Sequence, residues 1–457
     1  MIESFFYYSG FFLFYYFLAI NSLYFLLILF AIPSIYRRFL EVQTENILDM
    51  VNSESLPEIA IIIPCYNLQE LVFSAMNAGL MVDYPRKKIV IINDGSTDST
   101  LEFMKERLEL YQVPKIADNK LETASERALY RSKKYSEVLV IDKENGGRSD
   151  ALNTGINNIQ SEYFLVIDGD TVLEKDALLR MVRPFFTQKN VVAQGGTLRI
   201  LNGCAVVEGR IELIDIPRNY FAGIQVVEYL RSFLYGRLGW NYLGGNVIVS
   251  GAFGLFDTKA VIEANGYDTK SIGEDFDLTI RLIKNHFDNN REGIAPINFI
   301  PDPVAWTEVP SSYRGLLKQR SRWHQGLCQT VFKMWSMFLN PRYRMTGLVS
   351  FPYMFFGELI EPIIECFGIA LVLLGYSFGF YSGYDCLLIV LVAWGLTAAL
   401  SMITVFMEIT TFRRYRSLTQ LGRLLIYSFL ESLGFRQMYI WWRFVGFYKY
   451  FKGAYEW

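Results

Sequence analysis

Four short polar motifs follow one another between two apolar ends of this 457-residue chain. In order, they are Asn93-Asp94-Gly95-Ser96, Asp168-Gly169-Asp170, Gly273-Glu274-Asp275, and Gln319 with Arg322-Trp323. The first three place carboxylates where strands should end or helices should begin. Carboxylates at such positions can bind a divalent cation or accept a proton, and they can also simply cap a helix.

The first motif follows the second predicted strand, and Tyr66 and Asn67 follow the first. An acid at a strand end can accept hydrogen bonds from a base or ribose, and Tyr66 can stack or hydrogen-bond nearby. Taken alone, Asp94-Gly95-Ser96 is more simply explained as a tight turn that caps a helix.

The segment from Lys143 to Arg148 follows the third predicted strand and opens a helix. Its paired glycines let backbone amides approach a ligand, the helix start favours phosphate, and Lys143 and Arg148 add positive charge. The segment is neither a Walker loop nor a G-x-G-x-x-G motif. A plain glycine turn with solvated charges is therefore equally consistent with it.

Asp168 and Asp170 flank a single glycine after the fourth predicted strand. This pattern suits a divalent ion that bridges a diphosphate and offsets the charge on a leaving group. The alternative is an Asp-Gly turn with a second, helix-capping Asp. The chain has only two histidines, so a bound metal would be a hard ion held by oxygen.

Gly273-Glu274-Asp275 opens a predicted helix that runs to about Asn285. Asp275 could act as the general base that takes a proton from an acceptor hydroxyl. Helix capping, which Ser271 or Asp277 could share, explains the same residues when they are considered alone.

Gln319, Arg322 and Trp323 share one face of a predicted helix, at spacings of three and four. Arg322 could hold a diphosphate, and Trp323 offers an aromatic platform with an indole N–H donor. A belt of Arg and Trp at a membrane interface is the competing explanation.

Short apolar runs predict the elements that position these motifs. The runs 61–63, 89–92, 138–141 and 164–167 are each followed by a polar or glycine-rich turn and a helical stretch. That βαβ pattern predicts an α/β domain over residues 55–305 with a parallel sheet and binding loops at the carboxyl ends of its strands. Residues 113–135 read as a charged insertion, a surface loop with a short helix.

The apolar ends predict membrane segments. Residues 5–36 carry no charge, and neither a basic start nor a cleavage site marks them as a signal peptide, so we expect a retained transmembrane helix. Arg37-Arg38 then places the following domain in the cytoplasm. Residues 346–378 and 386–407 are further candidate spans. Residues 421–448 could form a fourth span, a re-entrant hairpin or interface helices.

Between the two regions, residues 309–344 form an amphipathic stretch. A helix at the membrane surface explains this pattern, and a buried amphipathic helix of the soluble domain is the alternative. Within the second candidate span, Glu358 and Glu361 could line a polar path or pair with arginines of the last segment.

Composition excludes some classes of function. Lys+Arg number 44 against 46 Asp+Glu, so no bulk charge indicates a nucleic-acid partner. The apolar fraction of 52% is high for a soluble protein. Five cysteines without CxxC spacing are expected to be free thiols of a cytoplasmic protein.

Taken together, Asp94, Asp168-Gly169-Asp170, Gly273-Glu274-Asp275 and Gln319-x-x-Arg322-Trp323 resemble a known series. It is the D, DxD, (T/G)ED and QxxRW series of processive family-2 glycosyltransferases, which include cellulose, poly-N-acetylglucosamine, hyaluronan and chitin-type synthases. The resemblance covers about residues 56–330. Each motif is weak alone, but the four in this order are specific.

The resemblance implies a GT-A (Rossmann-like) fold, a UDP-sugar donor and Mg²⁺ or Mn²⁺. It implies a single in-line displacement with inversion, giving β linkages, with Asp275 as the base beside Glu274. The remaining roles it implies are donor contacts by Tyr66, Asn67, Asp94, Lys143, Arg148 and Asp168, metal binding by Asp168 and Asp170, and diphosphate and acceptor positioning by Gln319, Arg322 and Trp323.

The resemblance also implies a domain plan. It has an N-terminal transmembrane helix (1–37), a cytoplasmic GT-A catalytic domain (50–308), amphipathic interface helices (309–344) and a C-terminal transmembrane region (345–457). The chain departs from the cellulose pattern at Gly273, where Thr is common. Residues 449–457 are too few for a cyclic-dinucleotide-binding barrel, so such regulation would need a partner subunit.

The expected function is a polysaccharide synthase of the bacterial inner membrane, multi-pass, that couples polymerisation to export. UDP-N-acetylglucosamine and UDP-glucose are the favoured donors. Its expected partners are the donor, a polysaccharide or lipid-linked acceptor, membrane lipid and an accessory membrane subunit. The alternatives are a single-sugar transferase to a lipid-linked acceptor and a non-catalytic membrane subunit that binds a nucleotide-sugar.

Overall fold

A computed structural model describes residues 2–44, 56–69, 71–115, 120–289 and 295–453 of the chain. They divide into two compact units, which we describe one at a time. The sheet unit consists of Arg38–Ile214 and Asn246–Val309. The helical unit consists of Met1–Arg37, Asp215–Gly245 and Pro310–Trp457. Residues 50–55 of the predicted catalytic domain lie outside the described residues.

Twelve strands are present in the described residues, all of them in the sheet unit. They are β1 (Ile59–Cys65), β2 (Lys87–Asp94), β3 (Leu110–Val113), β4 (Glu126–Ser132), β5 (Val138–Lys143), β6 (Tyr163–Ile167), β7 (Val172–Leu173), β8 (Ala193–Ile200), β9 (Ala205–Val207), β10 (Arg210–Leu213), β11 (Phe253–Asp257) and β12 (Ile297–Thr307).

The helices alternate with strands in the sheet unit and follow one another in the helical unit. They are α1 (Ile2–Thr44), α2 (Leu71–Leu80), α3 (Thr100–Leu108), α4 (Arg148–Asn157), α5 (Ala177–Thr187), α6 (Tyr220–Arg231), α7 (Leu238–Tyr242), α8 (Thr258–Glu263), α9 (Glu274–Asp288), α10 (Tyr313–Lys333), α11 (Thr346–Leu359, which contains π-helical turns), α12 (Glu361–Ser377), α13 (Gly383–Thr411), α14 (Leu418–Leu430) and α15 (Arg436–Lys452).

Ten strands form one sheet in the order β3-β4-β5-β2-β1-β6-β11-β8-β12-β7. The four strands predicted from apolar runs are β1, β2, β5 and β6, and they pair in parallel as β5-β2-β1-β6. These strands are apolar on both faces because helices cover both sides of a parallel sheet. Gly155 of α4 allows one such approach, since a Cβ there would lie 2.8 Å from Ile62 Cγ2.

The prediction of a loop with a short helix over residues 113–135 is wrong for the described part of that segment. Residues Glu126–Ser132 form β4, which pairs antiparallel with both β3 and β5. The sequence of β4 contains three charged residues, of which Arg127 and Arg131 are exposed, so its apolar content is too low to resemble the buried parallel strands. Residues 116–119 lie outside the described residues.

The two outermost strands of the sheet are short. β3 has four residues and β7 has two. The longer strand β12 pairs with β7 only at Ala305 and Trp306, and its register against β8 shifts on both sides of Pro303.

Arg38 at the start of the sheet unit lies in a buried ion-pair cluster. Its Nε donates to Asp302 at 2.9 Å, and Arg180 Nη1 donates to the same carboxylate at 2.7 Å. Asp176 also pairs with Arg180. From the sequence, Arg38 was expected to mark the cytoplasmic end of the first membrane segment. In the structure, its side chain pairs with Asp302 within the sheet unit.

In the helical unit, α1 begins with the most apolar segment of the chain. Among the described residues, Ile2–Arg38 is the one helix that is long and apolar enough to cross a membrane, with a mean hydropathy of 2.1. The helices Thr346–Leu359 and Glu361–Ser377 pass the same test as a pair, with a bend of 46° between them. The predicted span 386–407 lies within the 29-residue helix α13, and its crossing of a membrane stays a prediction.

The last predicted segment, 421–448, is two helices. Leu433 and Gly434 have non-helical backbone angles, and they separate α14 from α15. A single straight span over these residues is therefore excluded.

The acidic residues of the second candidate span pair with arginines of α15. Arg443 Nη1 donates to Glu361 Oε2 at 2.7 Å, and Arg436 Nε donates to Glu365 Oε1 at 2.7 Å. Glu358 accepts from the Tyr353 hydroxyl at 2.7 Å and lies 3.7 Å from Arg443. Of the two roles considered for Glu358 and Glu361, lining a polar path or pairing with arginines of the last segment, the structure shows the pairing.

The amphipathic stretch 309–344 forms α10 and two short 3-10 turns, Trp335–Met337 and Pro341–Tyr343. Ser312 caps α10 by accepting from the Gly315 N–H. The helix packs against α15 at close range because Gly446 has no side chain: a Cβ there would lie 2.7 Å from the Ser321 carbonyl oxygen. α10 thus belongs to the helical unit.

Candidate active site

The parallel strands bring the predicted motif loops of the sheet unit to one edge. β5, β2, β1 and β6 are neighbours, and their carboxyl ends carry Lys143, Asp94, Tyr66 and Asp168. Parallel strands end at the same edge of a sheet, which is where open α/β folds bind ligands. The motifs of the sheet unit therefore form one site.

Asp94 organises the glycine-rich loop after β5. Its carboxylate accepts from the backbone N–H of Gly146 at 3.0 Å and of Gly147 at 2.8 Å. Gly95 beside it has a φ of +66°, and a Cβ there would lie 2.7 Å from the Asn145 nitrogen. The sequence analysis suggested that the backbone amides of this loop could bind a ligand phosphate. In the structure, the buried carboxylate of Asp94 accepts from the Gly146 and Gly147 amides instead.

Lys143 lies between two carboxylates and has no exposed surface. Its Nζ is 2.6 Å from Asp94 Oδ1 and 2.6 Å from Asp150 Oδ1. Asp150 is in the first turn of α4 and also accepts from the Ala124 N–H. The buried ammonium is neutralised by these acids, which keeps the Asp94 loop and the start of α4 together.

Arg148, the first residue of α4, joins three parts of the site. Its guanidinium donates to Asp168 Oδ1 at 2.8 Å, to Glu274 Oε1 at 2.5 Å and to the Gly251 carbonyl at 2.7 Å. A planar guanidinium has five donors in a fixed fork, so it can hold several acceptors at once. The DxD loop and the start of α9 are therefore connected through one side chain.

Asp168 and Asp170 follow β6 in a turn closed by the Thr171 N–H and the Asp168 carbonyl. The Asp168 side chain is 38% exposed. Asp170 accepts from the Thr307 hydroxyl at 3.3 Å, and burial, together with the nearby Asp168 charge, raises its pKa to about 6. Two carboxylates in one turn, one of them with a raised pKa, make an oxygen-rich site whose charge a cation would relieve.

Asp275 is held at the start of α9 by two backbone amides. Oδ2 accepts from the Gly251 N–H at 2.8 Å, and Oδ1 accepts from its neighbour Phe276 N–H at 2.8 Å. These two donors fix the orientation of the carboxylate. Gly251 fits closely here, since a Cβ would lie 3.0 Å from Asp275 Oδ2.

The loop after β1 contains the exposed residue Tyr66 and the hydrogen-bonded residue Asn67. Tyr66 is 48% exposed. Asn67 has a φ of +53°, and its side chain accepts from the N–H groups of Thr97 and Asp98. Asn67 thus ties the loop after β1 to the loop after β2, while the Tyr66 ring remains available to a ligand.

The fourth motif lies on α10 in the helical unit. Gln319 is half-buried, and its Oε1 is a buried atom that has no hydrogen-bond partner among the described residues. Arg322 is half-buried as well, whereas Trp323 is 42% exposed. The predicted helix is confirmed, and its period places the three side chains on one face.

Several residues that complete these arrangements were not singled out from sequence. Asp150 lies in the first turn of α4, where acids are common, so its residue type alone gave no signal. Glu228, which pairs with Arg320 across 92 positions, could not be found from spacing.

Family comparison agrees with the geometry. Residues 163–402, more than half of the chain, match the family described as "Glycosyl transferase family group 2", and residues 60–243 match "Glycosyl transferase family 2". The chain belongs to this glycosyltransferase family. The resemblance stated from the four motifs is confirmed, and the parallel sheet with its motif loops is the expected GT-A fold.

This family-2 chain is similar to curated synthases. It is 30% identical over 316 residues to "Poly-beta-1,6-N-acetyl-D-glucosamine synthase" from Staphylococcus epidermidis, a match covering 68% of this chain and 65% of that relative. It is 28% identical over 277 residues to the enzyme of the same name from Staphylococcus aureus (strain COL), covering 60% and 56%. The match thus spans less than two thirds of each relative's length.

Solved structures also match this chain, at lower sequence identity. A mannosyltransferase from Pyrobaculum calidifontis in complex with GDP-Man and Mn²⁺ gives a TM-score of 0.48 at 15% identity, covering 91% of this chain and 99% of that one. S. aureus TarS 1-349 in complex with UDP-GlcNAc gives 0.41 at 15% identity, covering 87% and 93%. These scores are too low to carry an argument about this chain.

Proposed function

We propose that this chain is a membrane-associated glycosyltransferase that moves a sugar from a UDP-sugar onto a growing polysaccharide. One observation carries the proposal. The acids of the DxD turn and Asp275 lie in one site, linked through Arg148 and the backbone of Gly251. Such a site could hold a cation beside Arg148 to balance the charge of a leaving diphosphate, while Asp275 removes a proton from the acceptor.

The donor would lie along the carboxyl ends of β1, β2 and β6. The exposed Tyr66 ring can stack on or hydrogen-bond to a base. Asp94 and Lys143 would not contact the donor directly, because both are buried. They would instead hold the glycine-rich loop after β5, which would face the donor. UDP-N-acetylglucosamine and UDP-glucose are the proposed donors, and the similarity to poly-N-acetylglucosamine synthases supports the first.

Asp168 and Asp170 would hold a divalent cation, Mg²⁺ or Mn²⁺. The ligands are carboxylate oxygens, which suit these hard ions, and burial together with the Asp168 charge raises the pKa of Asp170, so a bound cation would stabilise its ionised form. When bound, the cation supplies positive charge beside the diphosphate of the donor. Arg148, already in contact with Asp168, adds a fixed positive charge next to it.

Asp275 would be the general base. Its carboxylate is fixed by the Gly251 and Phe276 amides and can take the proton of an acceptor hydroxyl as that oxygen attacks the anomeric carbon. The C–O bond to the acceptor forms as the bond to the diphosphate breaks. In-line attack inverts the anomeric carbon and gives a β linkage.

Gln319, Arg322 and Trp323 would position the acceptor end and the diphosphate. Gln319 Oε1, which is buried and has no hydrogen-bond partner in the described part of the chain, and the exposed indole of Trp323 are groups that can bind a sugar. We further propose that the protein is a multi-pass inner-membrane enzyme with a cytoplasmic sheet unit and that it couples elongation to export. An accessory subunit would complete or regulate that path.

The experiment is UDP release by detergent-purified protein against a panel of UDP-sugars. Each donor is tested with Mn²⁺, with Mg²⁺ and with EDTA, and the product is then sized. Metal-dependent turnover with one sugar and a long product supports the synthase. A product carrying one sugar on a lipid would replace it with the single-transfer reaction. UDP-sugar binding without turnover, even with membrane lipid and partner subunits added, would replace it with a non-catalytic binding subunit.

A further inference from the structure

Arg320 lies inside the fourth motif, between Gln319 and Arg322, yet its side chain is buried. The residue is 2% exposed, whereas Trp323 one turn later is 42% exposed. A charged side chain is buried in a protein only where partners compensate it. The arrangement around Arg320 therefore indicates a defined role.

A carboxylate on another helix holds the Arg320 guanidinium in a fixed plane. Nη1 donates to Glu228 Oε1 at 2.6 Å, and Nη2 donates to Glu228 Oε2 at 2.7 Å. Nη2 also lies 3.4 Å from Gln225 Oε1, one turn earlier on α6. This two-point pairing fixes both the position and the rotation of the guanidinium, which a single contact would not do.

The fixed guanidinium lies against aromatic rings. Its central carbon is 4.3 Å from the centre of the Trp323 ring and 5.5 Å from the ring of Tyr439 on α15. An arginine at this distance attracts the face of an indole and limits its rotation. Three helices, α6, α10 and α15, thus contribute to the environment of the Arg320 guanidinium, which lies over the exposed tryptophan.

We propose that Glu228 and Arg320 are positioning residues that set the orientation of Trp323 as the platform for the acceptor sugar. This rests on the acceptor role proposed above for Trp323. Glu228 holds Arg320, and Arg320 lies over the indole, while part of Trp323 stays exposed. Neither positioning residue touches the sugar.

The chemistry of the pair explains why arginine and glutamate are needed. A lysine at position 320 would keep the charge but lose the planar guanidinium that lies over the ring and the paired donors that fit a carboxylate. An aspartate at position 228 would keep the charge but shorten the reach by one methylene. Arg320→Lys and Glu228→Asp therefore change orientation without changing net charge.

The test is a double-mutant cycle on acceptor use. Arg320→Lys, Trp323→Ala and the double variant are compared with wild type for product length, acceptor KM and donor KM in detergent. We expect Arg320→Lys to raise acceptor KM roughly two- to tenfold, shorten the product and leave donor KM unchanged. In the Trp323→Ala background the same substitution should add nothing further.

Arg314→Lys is the matched control, because Arg314 lies exposed on the same helix. It should leave all three quantities unchanged. If Arg320→Lys does not give monodisperse protein, Glu228→Asp serves in its place, with the same expected loss and the same dependence on Trp323.

Two outcomes would overturn the inference. Equal effects of Arg320→Lys with and without Trp323 would show that Arg320 does not act through the indole. Unchanged acceptor KM in both Arg320→Lys and Glu228→Asp would show that the pair positions nothing. Trp323→Ala with normal acceptor use would instead remove the acceptor role of Trp323, a distinct failure of the proposed function.

Discussion

The backbone N–H of Gly251 donates to Asp275 Oδ2 at 2.8 Å, and the Gly251 carbonyl accepts from Arg148 at 2.7 Å. One peptide segment thus orients the proposed base and receives the arginine that also binds Asp168. Asp275 is therefore connected to the DxD turn through three hydrogen bonds, the Gly251 backbone and the Arg148 side chain.

Asp275→Asn should abolish sugar transfer and preserve donor binding. Asparagine keeps an oxygen that accepts from Gly251, so the loop is retained, but the amide cannot take a proton. We expect turnover to fall by roughly 10²–10⁴-fold with unchanged UDP affinity. Both are measurable by UDP release and by titration with UDP.

Asp257→Asn is a matched control for that substitution. Asp257 caps α8 by accepting from the Ala260 N–H, and Asn and Asp are equally good caps. Turnover should be normal in this variant. Residual turnover near the wild-type rate in Asp275→Asn would remove Asp275 as the base.

Lys143→Met should destabilise the sheet unit and so act mainly on folding. The substitution leaves Asp94 and Asp150 buried without their shared cation. Breaking a buried pair on one side typically costs about 3–5 kcal/mol of unfolding free energy. Chemical denaturation followed by circular dichroism measures this loss.

Lys88→Met provides the comparison. Lys88 pairs with Glu58 at 2.8 Å, but its side chain is 53% exposed, so the expected loss is below about 1 kcal/mol. Similar small losses for both lysines, with weaker donor affinity only for Lys143→Met, would assign Lys143 to the donor site itself.

Protonation of Asp170 should cause transferase activity to decline as the pH falls below about 6. Burial and Asp168 raise the pKa of Asp170 to about 6, so below that pH it is protonated and binds a cation poorly. Activity at subsaturating Mn²⁺ should fall as the pH drops through about 6. Saturating Mn²⁺ should move this decline to lower pH, because cation and proton compete.

The same group makes a second prediction for metal-free protein. A carboxyl whose folded pKa is raised destabilises the fold at high pH, since the unfolded state loses its proton first. Asp170→Asn should therefore melt at a higher temperature than wild type in EDTA at pH 7.5, and the difference should shrink as the pH falls below 6. An identical difference at every pH would contradict the raised pKa.

Gly446→Ala should separate α15 from α10. The new Cβ would lie 2.7 Å from the Ser321 carbonyl oxygen and 2.9 Å from His324 Cβ. Overpacking of this kind typically costs about 1–3 kcal/mol. We expect a lower melting temperature of the detergent-solubilised protein.

Gly422→Ala on α14 is the control for helix propensity. A Cβ there meets nothing within 4 Å, so the substitution should be neutral or stabilising by about 0.5–1 kcal/mol. Equal melting temperatures for the two alanine variants would show that the close approach at Gly446 is not needed.

The parallel core was predictable because its residues carry the signal themselves. The runs that became β1, β2, β5 and β6 are apolar on both faces, and each ends at a polar motif. β4 was missed because three of its residues are charged and only Leu129 and Ser132 are buried, so it lacks an apolar run.

The sequence predicted which residues belong to the site, but not which of them bind one another. Asp94 and Lys143 were both assigned to the donor, yet they bind each other across 49 positions. Long-range pairing of this kind depends on which strands become neighbours, and a single sequence does not encode that locally. For the same reason, the sequence did not predict that Asp215–Gly245 belongs to the helical unit, because this segment lies within the predicted catalytic domain, 50–308.

The two ends of the sheet have a consequence for solubility. An exposed edge strand can recruit a strand from another molecule and start aggregation. Here β3 and β7 are too short to act as templates, and β12 carries Pro301 and Pro303, which cannot donate a ladder hydrogen bond. The sheet unit should therefore resist intermolecular strand addition at high local concentration, as when many copies are crowded on a membrane.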